Sequence, residues 1–140
     1  MTDGLAAFKL DEIRSGQRHE FDFAIGSAEM ESFAALSGDR NPLHCDEAFA
    51  RQRGFRGRVV YGALLVAAVS RMIGMHLPGR NALWNSLQMQ FAAPLIVGDP
   101  ARLEANVTQV SEATRSIVLQ LTVTSSGEIV ARGKATVSMP

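Results

Sequence analysis

The feature that most constrains this chain is the run VVYGALLVAAV at residues 59–69, bounded by Arg58 on one side and Ser70 and Arg71 on the other. A membrane span needs about 20 consecutive apolar residues, so a run this short reads as a core helix. The helix is predicted from about Gly62 to His76, and Pro78 in LPGRN stops it because proline cannot continue the hydrogen-bond ladder. Leu64, Leu65, Val66, Ala67, Ala68 and Val69 leave no polar face before Ser70. A helix apolar all round must be enclosed by protein.

What encloses it is written in the second half of the chain, where the period falls from 3.6 to 2. Leu87, Met89 and Phe91 alternate with Ser86, Gln88 and Gln90; Leu103, Ala105 and Val107 with Arg102, Glu104, Asn106 and Thr108. Ile117, Leu119, Leu121 and Val123 share one face, as do Ile129, Ala131, Gly133, Ala135 and Val137, with Val130 on the opposite one. Four consecutive half-buried strands with turns such as SSG at 125–127 predict an antiparallel meander with one buried face. A lone apolar helix needs a wrapper and a one-faced sheet needs a filler. The predicted architecture is therefore α+β, a curved antiparallel sheet wrapped around the helix, with Gly133 and Ala135 admitting a close helix approach.

The first half carries the remaining elements. Phe21, Phe23 and Ile25 alternate within QRHEFDFAIG, predicting a strand over 17–26. Ser27 is placed to cap a helix running to about Leu36, which Ser37 and Gly38 end; DEAFARQRG predicts a short helix stopped by Gly54. No repeat, linker or low-complexity tract divides the 140 residues, so 1–140 is expected to be one domain. Fourteen basic residues balance fourteen acidic ones, so no global field favours nucleic acid or an anionic membrane. One cysteine excludes an internal disulfide and suits a reducing compartment; MTDGLAAFKLDE lacks the pattern of a secretory signal, and a cytoplasmic protein is expected.

The stretch SGDRNPLHCDEAF at 37–49 holds Asp39, Asn41 and His44 within six residues. Pro42 drives Asn41 out of the helical region, predicting a fixed loop over 38–43. A carboxylate and an imidazole, with ordinary pKa values near ~3.9 and ~6.5, can divide acid and base work across such a loop. The apolar helix begins at Gly62, where unpaired amides and partial positive charge could hold a developing oxyanion such as that of a thioester carbonyl. Glycine lets a ligand oxygen come close to its own amide.

SGDRNPLHCDEAFA, VVYGALLVAAVS and FAAPLIVGD together resemble the MaoC-like, (R)-specific enoyl-CoA hydratases of the hotdog fold. The resemblance covers nearly the whole chain, and its most specific part is Gly, Asp, Asn-Pro and His at fixed spacing. It implies that Asp39 is the principal base, that His44 shares the water and helps deliver the proton, and that Asn41 supports the loop. It implies further that the Gly62 amide is the oxyanion donor and that Ser70 lies near the active site. The reaction implied is addition of water to C3 of a trans-2-enoyl thioester, giving the (R)-3-hydroxyacyl thioester, or its reverse. The substrate would be a thioester of coenzyme A or acyl carrier protein, and the protein a homodimer with the acyl tunnel near the subunit interface. Where the family often has His-Gly, this chain has Tyr61-Gly62, a departure expected to bear on acyl or thioester preference. Hydration of an activated alkene needs only acid/base groups and oxyanion stabilisation, so no metal or redox cofactor is expected, coenzyme A entering only as part of the substrate.

Plainer readings accompany each residue. Asp39 and Asn41 also suit an ordinary turn, Gly62 an ordinary helix start, and Ser70 a hydroxyl bonded back to its own helix. Cys45 follows His44 directly and reads as a small packed residue rather than a nucleophile, for want of an orienting group. His19 and His76 read as partly exposed, without metal-ligand spacing. Arg51, Arg53, Arg56 and Arg58 suit either coenzyme A phosphates or a solvated surface, and Trp84 a strand start or a tunnel wall. Three rival functions share these features: a hotdog acyl-CoA thioesterase, with water aimed at C1; a non-catalytic acyl-thioester-binding subunit; and a hydratase-like enzyme of polysaccharide or specialised acyl metabolism.

Overall fold

A computed structural model describes residues 4–140; residues 1–3, the head of the MTDGLAAFKLDE stretch, lie outside the described residues. After a single 3₁₀ turn at Leu10–Glu12 come β1 (Arg18–Phe23), α1 (Ser27–Ser37), α2 (Pro42–Cys45), α3 (Glu47–Gln52) and α4 (Gly62–Arg71). A π-helical turn, Met72–His76, prolongs α4, and β2 (Leu83–Phe91), β3 (Ala101–Ser111), β4 (Ser116–Ser125) and β5 (Glu128–Ser138) complete the chain.

The five strands form one antiparallel sheet in the order β1-β3-β4-β5-β2. The expected meander is therefore broken once: β2 pairs with β5, not with β3. The connection from β2 to β3 spans residues 92–100, too long for a hairpin turn, and it carries the chain from one side of the sheet to the other. Register shifts at Trp84/Ser86, Val107/Gln109 and Val123/Thr124 mark bulges, which bend strands and increase their twist. At the last of these Val130 turns inward and is buried, while Ile129 is only half-buried, reversing the expected pattern there. The rest of the inward face is as predicted: Leu103, Ala105, Val107, Ile117, Leu119, Leu121, Val123, Ala131, Ala135 and Val137 are fully buried.

Helix α4 lays Leu65 and Val69 into this face, and the π-turn adds Met72 and Ile73. Burying one such side chain stabilises the fold by roughly 1.5–3 kcal/mol, so the helix is anchored mainly along this stripe. It is not enclosed all round, contrary to the sequence expectation. Ala63, Ala67 and Ser70 are exposed on its far side, because five strands cover one side of a helix and those positions carry only small side chains. Gly133 also serves a different neighbour from the one expected. A Cβ there would lie 2.7 Å from the Gln88 carbonyl oxygen, so it is edge strand β2, not the helix, that needs the glycine. Among the described residues no helix is long and apolar enough to cross a membrane.

Candidate active site

The site is built where α1, α2 and the start of α4 converge. Helix α1 opens on Gly26 rather than on a Ser27 cap; the Ser27 hydroxyl instead accepts from Arg58 Nη2 at 2.8 Å. The helix ends at Gly38, whose φ of 78° is left-handed backbone that glycine adopts without strain, and whose amide donates to the Ala34 carbonyl. From there a chain of short local hydrogen bonds shapes the motif. Ser37 Oγ accepts from the Asp39 amide, Asp39 Oδ1 from the Asn41 amide and Asn41 Oδ1 from the Leu43 amide, each at 3.0 Å. Such Asx and Ser turns take over the backbone bonds a helix would have made.

Asn41 is extended, with ψ 130°, as the proline behind it requires. Pro42 then begins a helical turn instead of continuing a loop to residue 43, because proline is suited to the first helical position and Asn41 caps it. His44 thus stands on a rigid turn. Its Nδ1 lies 2.7 Å from the Val59 carbonyl oxygen, which can only accept, so Nδ1 carries the proton and Nε2 of the neutral ring keeps its lone pair. The Val59 amide donates in turn to the Leu43 carbonyl at 3.1 Å, clasping residue 59 to α2 from both sides. Residues 58–60 are held on their other side by Val60 N–H to Leu95 O and Val97 N–H to Arg58 O.

His44 and Gly62 line one cleft of about 330 Å³, whose other walls are Val59, Val60, Leu65 and the segment Phe91–Leu95. It is mostly apolar, suited to a hydrocarbon chain, with an imidazole and a helix N-terminus as its polar features. Gly62 is the first residue of α4, and its amide has no intrahelical acceptor. The Phe91 ring lies directly against it: a Cβ at residue 62 would stand 3.0 Å from Phe91 Cζ. Phe91, Pro94 and Leu95 were not singled out as site residues by sequence, although FAAPLIVGD was one of the three segments carrying the resemblance. A second cleft, of about 430 Å³ and lined by Met30, Ala34, Arg40, Cys45 and Arg58 among others, also reaches His44.

The remaining expected site residues are placed as follows. Asp39 is exposed on its loop and does not itself line the apolar cleft. Asn41 caps α2, the support expected of it. Ser70 is exposed and outside the cleft: eight residues beyond Gly62, it falls on the uncovered side of α4. Tyr61 is not a wall of the cleft either. The residue is 2% exposed, its ring packed between Phe33 and His44 with ring centroids 4.6 and 4.2 Å away. The Tyr61 hydroxyl donates to the Asp39 carbonyl oxygen at 2.6 Å and lies 3.4 Å from Cys45 Sγ. Burial first, and then the Cys45 thiol, push the phenol up to about 12, so it remains a neutral donor throughout the physiological range. Cys45 is exposed as a residue rather than packed, with its thiol turned to Tyr61.

The arginines of the basic run each meet a group of the chain. Arg51 pairs with Glu47, Arg56 with Asp99, and Arg53 stacks over Phe49. Trp84 packs half-buried at the start of β2 and donates to the Ser86 carbonyl. His19 and His76 stack at 4.5 Å, away from the cleft, with the Arg71 guanidinium over the neighbouring Phe21 ring. Among the described residues no group of three or more His, Cys, Asp or Glu is placed to hold a metal ion.

Comparison with known proteins places this geometry. The family model described as "MaoC like domain" matches residues 10–129. An (R)-specific enoyl-CoA hydratase of Aeromonas caviae is 36% identical over 129 residues, covering 91% of this chain and 96% of the relative. One of Rhodospirillum rubrum is 30% identical over 138 residues, covering 99% and 96%. The solved structure of the (R)-hydratase from A. caviae involved in PHA biosynthesis superposes with a TM-score of 0.88 at 34% identity, covering 91% of this chain and 98% of that one.

Proposed function

Since the chain belongs to the MaoC-like domain family and has the hotdog fold, we propose that it is a hydro-lyase adding water to trans-2-enoyl thioesters to give (R)-3-hydroxyacyl thioesters, or catalysing the reverse. The observation that carries this reading is the shared cleft. An imidazole with a fixed tautomer and an unpaired helix-start amide open into one apolar cavity. In the forward direction the enoyl chain occupies that cavity, with its thioester oxygen at the Gly62 amide. A water held by Asp39 and by His44 Nε2 loses one proton to this pair as its oxygen bonds to C3. The electron pair of the double bond moves toward the thioester oxygen, where the amide and the positive helix end stabilise it. The proton taken from the water returns from the pair to C2, so atoms and charge balance without a redox or metal cofactor.

Coenzyme A thioesters are the substrates named for the relatives described above, and acyl carrier protein thioesters are a second carrier of the same chemistry. We place Ser70 and the exposed alanines of α4 in a homodimer interface, supported by that uncovered face and by the free edge of β2. The single cysteine suits the cytoplasm.

Loss of enoyl-thioester absorbance with crotonyl-CoA tests the activity, and chiral analysis of the product tests its (R) configuration. Asp39→Asn preserves the acceptor for the Asn41 amide but removes the carboxylate, so activity should fall by about 10²- to 10⁴-fold with the fold intact. If the wild type hydrates neither crotonyl-CoA nor longer and branched enoyl-CoAs while still binding acyl-CoA, a non-catalytic acyl-binding role replaces the proposal.

A further inference from the structure

We infer that Tyr61 is a positioning residue that ties the acid/base loop to the oxyanion helix, its backbone starting α4 while its hydroxyl holds the Asp39 carbonyl and its ring supports the His44 imidazole. The inference rests on the hydratase reading for its kinetic consequences and on geometry alone for the rest.

Three observations converge on one side chain. First, Tyr61 is the N-cap residue of α4, so its own backbone leads directly into the Gly62 amide. Second, its hydroxyl reaches across 22 residues of sequence to the Asp39 carbonyl at 2.6 Å, a short bond to the backbone of the carboxylate-bearing residue. Third, its ring fills the space between α1 and α2, with Phe33 on one flank and the His44 ring on the other, the latter tilted by 31°. The His44 imidazole is therefore fixed at its edge by the Val59 carbonyl and on its face by Tyr61. Among the described residues Asp39 has no comparable restraint from elsewhere in the fold. The other hydrogen bonds of its residue, from its amide to Ser37 and from the Asn41 amide to its carboxylate, are both local.

A single phenol thus sets the separation between the group that removes a proton and the group that receives negative charge. Misplacement of reacting groups by about an ångström is costly in rate, while substrate binding elsewhere is untouched. That pattern separates positioning from substrate contact, because Tyr61 is buried and absent from the walls of the apolar cleft.

The test is Tyr61→Phe, which keeps the ring and deletes the hydroxyl, with Tyr61→Leu as the variant that deletes both supports. With crotonyl-CoA, kcat should fall about tenfold in Tyr61→Phe and further in Tyr61→Leu, with KM within about twofold of wild type. A merely structural tyrosine would lower the melting temperature but leave kcat per folded molecule unchanged. That outcome, or a raised KM at constant kcat, would overturn the inference. Should the wild type hydrate no enoyl thioester, the hydratase proposal fails by itself, and NMR of the free protein decides the positioning role. Tyr61→Phe must then shift the His44 ring resonances and speed exchange of the Asp39–Asn41 amides. Spectra unchanged at those residues would refute it.

Discussion

Replacing Gly62 by Ala puts one methyl group at the point where the proposed chemistry demands close approach. Gly62 is helical, so alanine fits the backbone and gains some helix propensity, up to about 1 kcal/mol. Against that, the new Cβ would stand 3.0, 3.2 and 3.4 Å from three atoms of the Phe91 ring, tighter than ordinary contact. Overpacking a rigid core costs about 1–3 kcal/mol, but Phe91 is 54% exposed and its ring can swing outward. The net stability change should therefore lie within about 1 kcal/mol. Activity should respond more strongly. Losing an oxyanion donor outright costs about 10²–10³ in kcat, and a methyl beside the amide weakens it without removing it, so about a 10- to 100-fold loss is expected. The assay is kcat and KM for crotonyl-CoA beside thermal melts for Gly62→Ala, Phe91→Ala and the double variant. The double variant removes the clash but leaves the methyl at the amide, so it should not recover. Activity of Gly62→Ala within threefold of wild type would refute the oxyanion assignment. Full recovery in the double variant would show that displaced Phe91, and not the blocked amide, caused the loss.

Acid should weaken the fold through His76. Burial first, and then the nearby His19 and Arg71, hold its pKa below the ordinary value, and its Nε2 is buried with no hydrogen-bond partner among the described residues. The folded chain then binds fewer protons than the unfolded one below about pH 6.5, so stability is full above that pH and declines as pH falls toward the depressed value. Urea midpoints measured from pH 8 to 5 should fall in the wild type and fall less in His76→Phe, and parallel profiles would contradict this. Gly133→Ala should destabilise by about 1–3 kcal/mol, because its methyl meets the Gln88 backbone, which cannot yield without loosening β2 from β5. A denaturation midpoint equal to wild type would contradict the close approach.

Much of this was legible along the chain. Every residue that period-2 alternation assigned to the inward face of β3 and β4 is buried, because a strand with one wet face cannot place its side chains otherwise; only Ala101, at the start of β3, lay outside that reading. The turn chemistry of Asp39, Asn41 and Pro42 is local, so the bend at Asn41 could be read from neighbours alone. The helical turn that follows it was missed because proline both ends and begins helices. Val130 was misassigned because a bulge inserts one residue there and breaks the alternation between Ile129 and Ala131, leaving no mark in composition.

What the sequence by itself determined was the content of the candidate site: a carboxylate, an imidazole and a helix-starting glycine. Tertiary structure alone decided their arrangement. The pairing of β2 with β5, the clasp of Val59 on His44, and the Phe91 ring against Gly62 all join segments far apart in the chain. So does the reach of Tyr61 to Asp39, which turns a residue expected at the substrate into one packed behind Asp39 and His44. Such contacts are chosen by how the core closes, and hydrophobic period specifies which face a residue takes but not which distant partner it meets there.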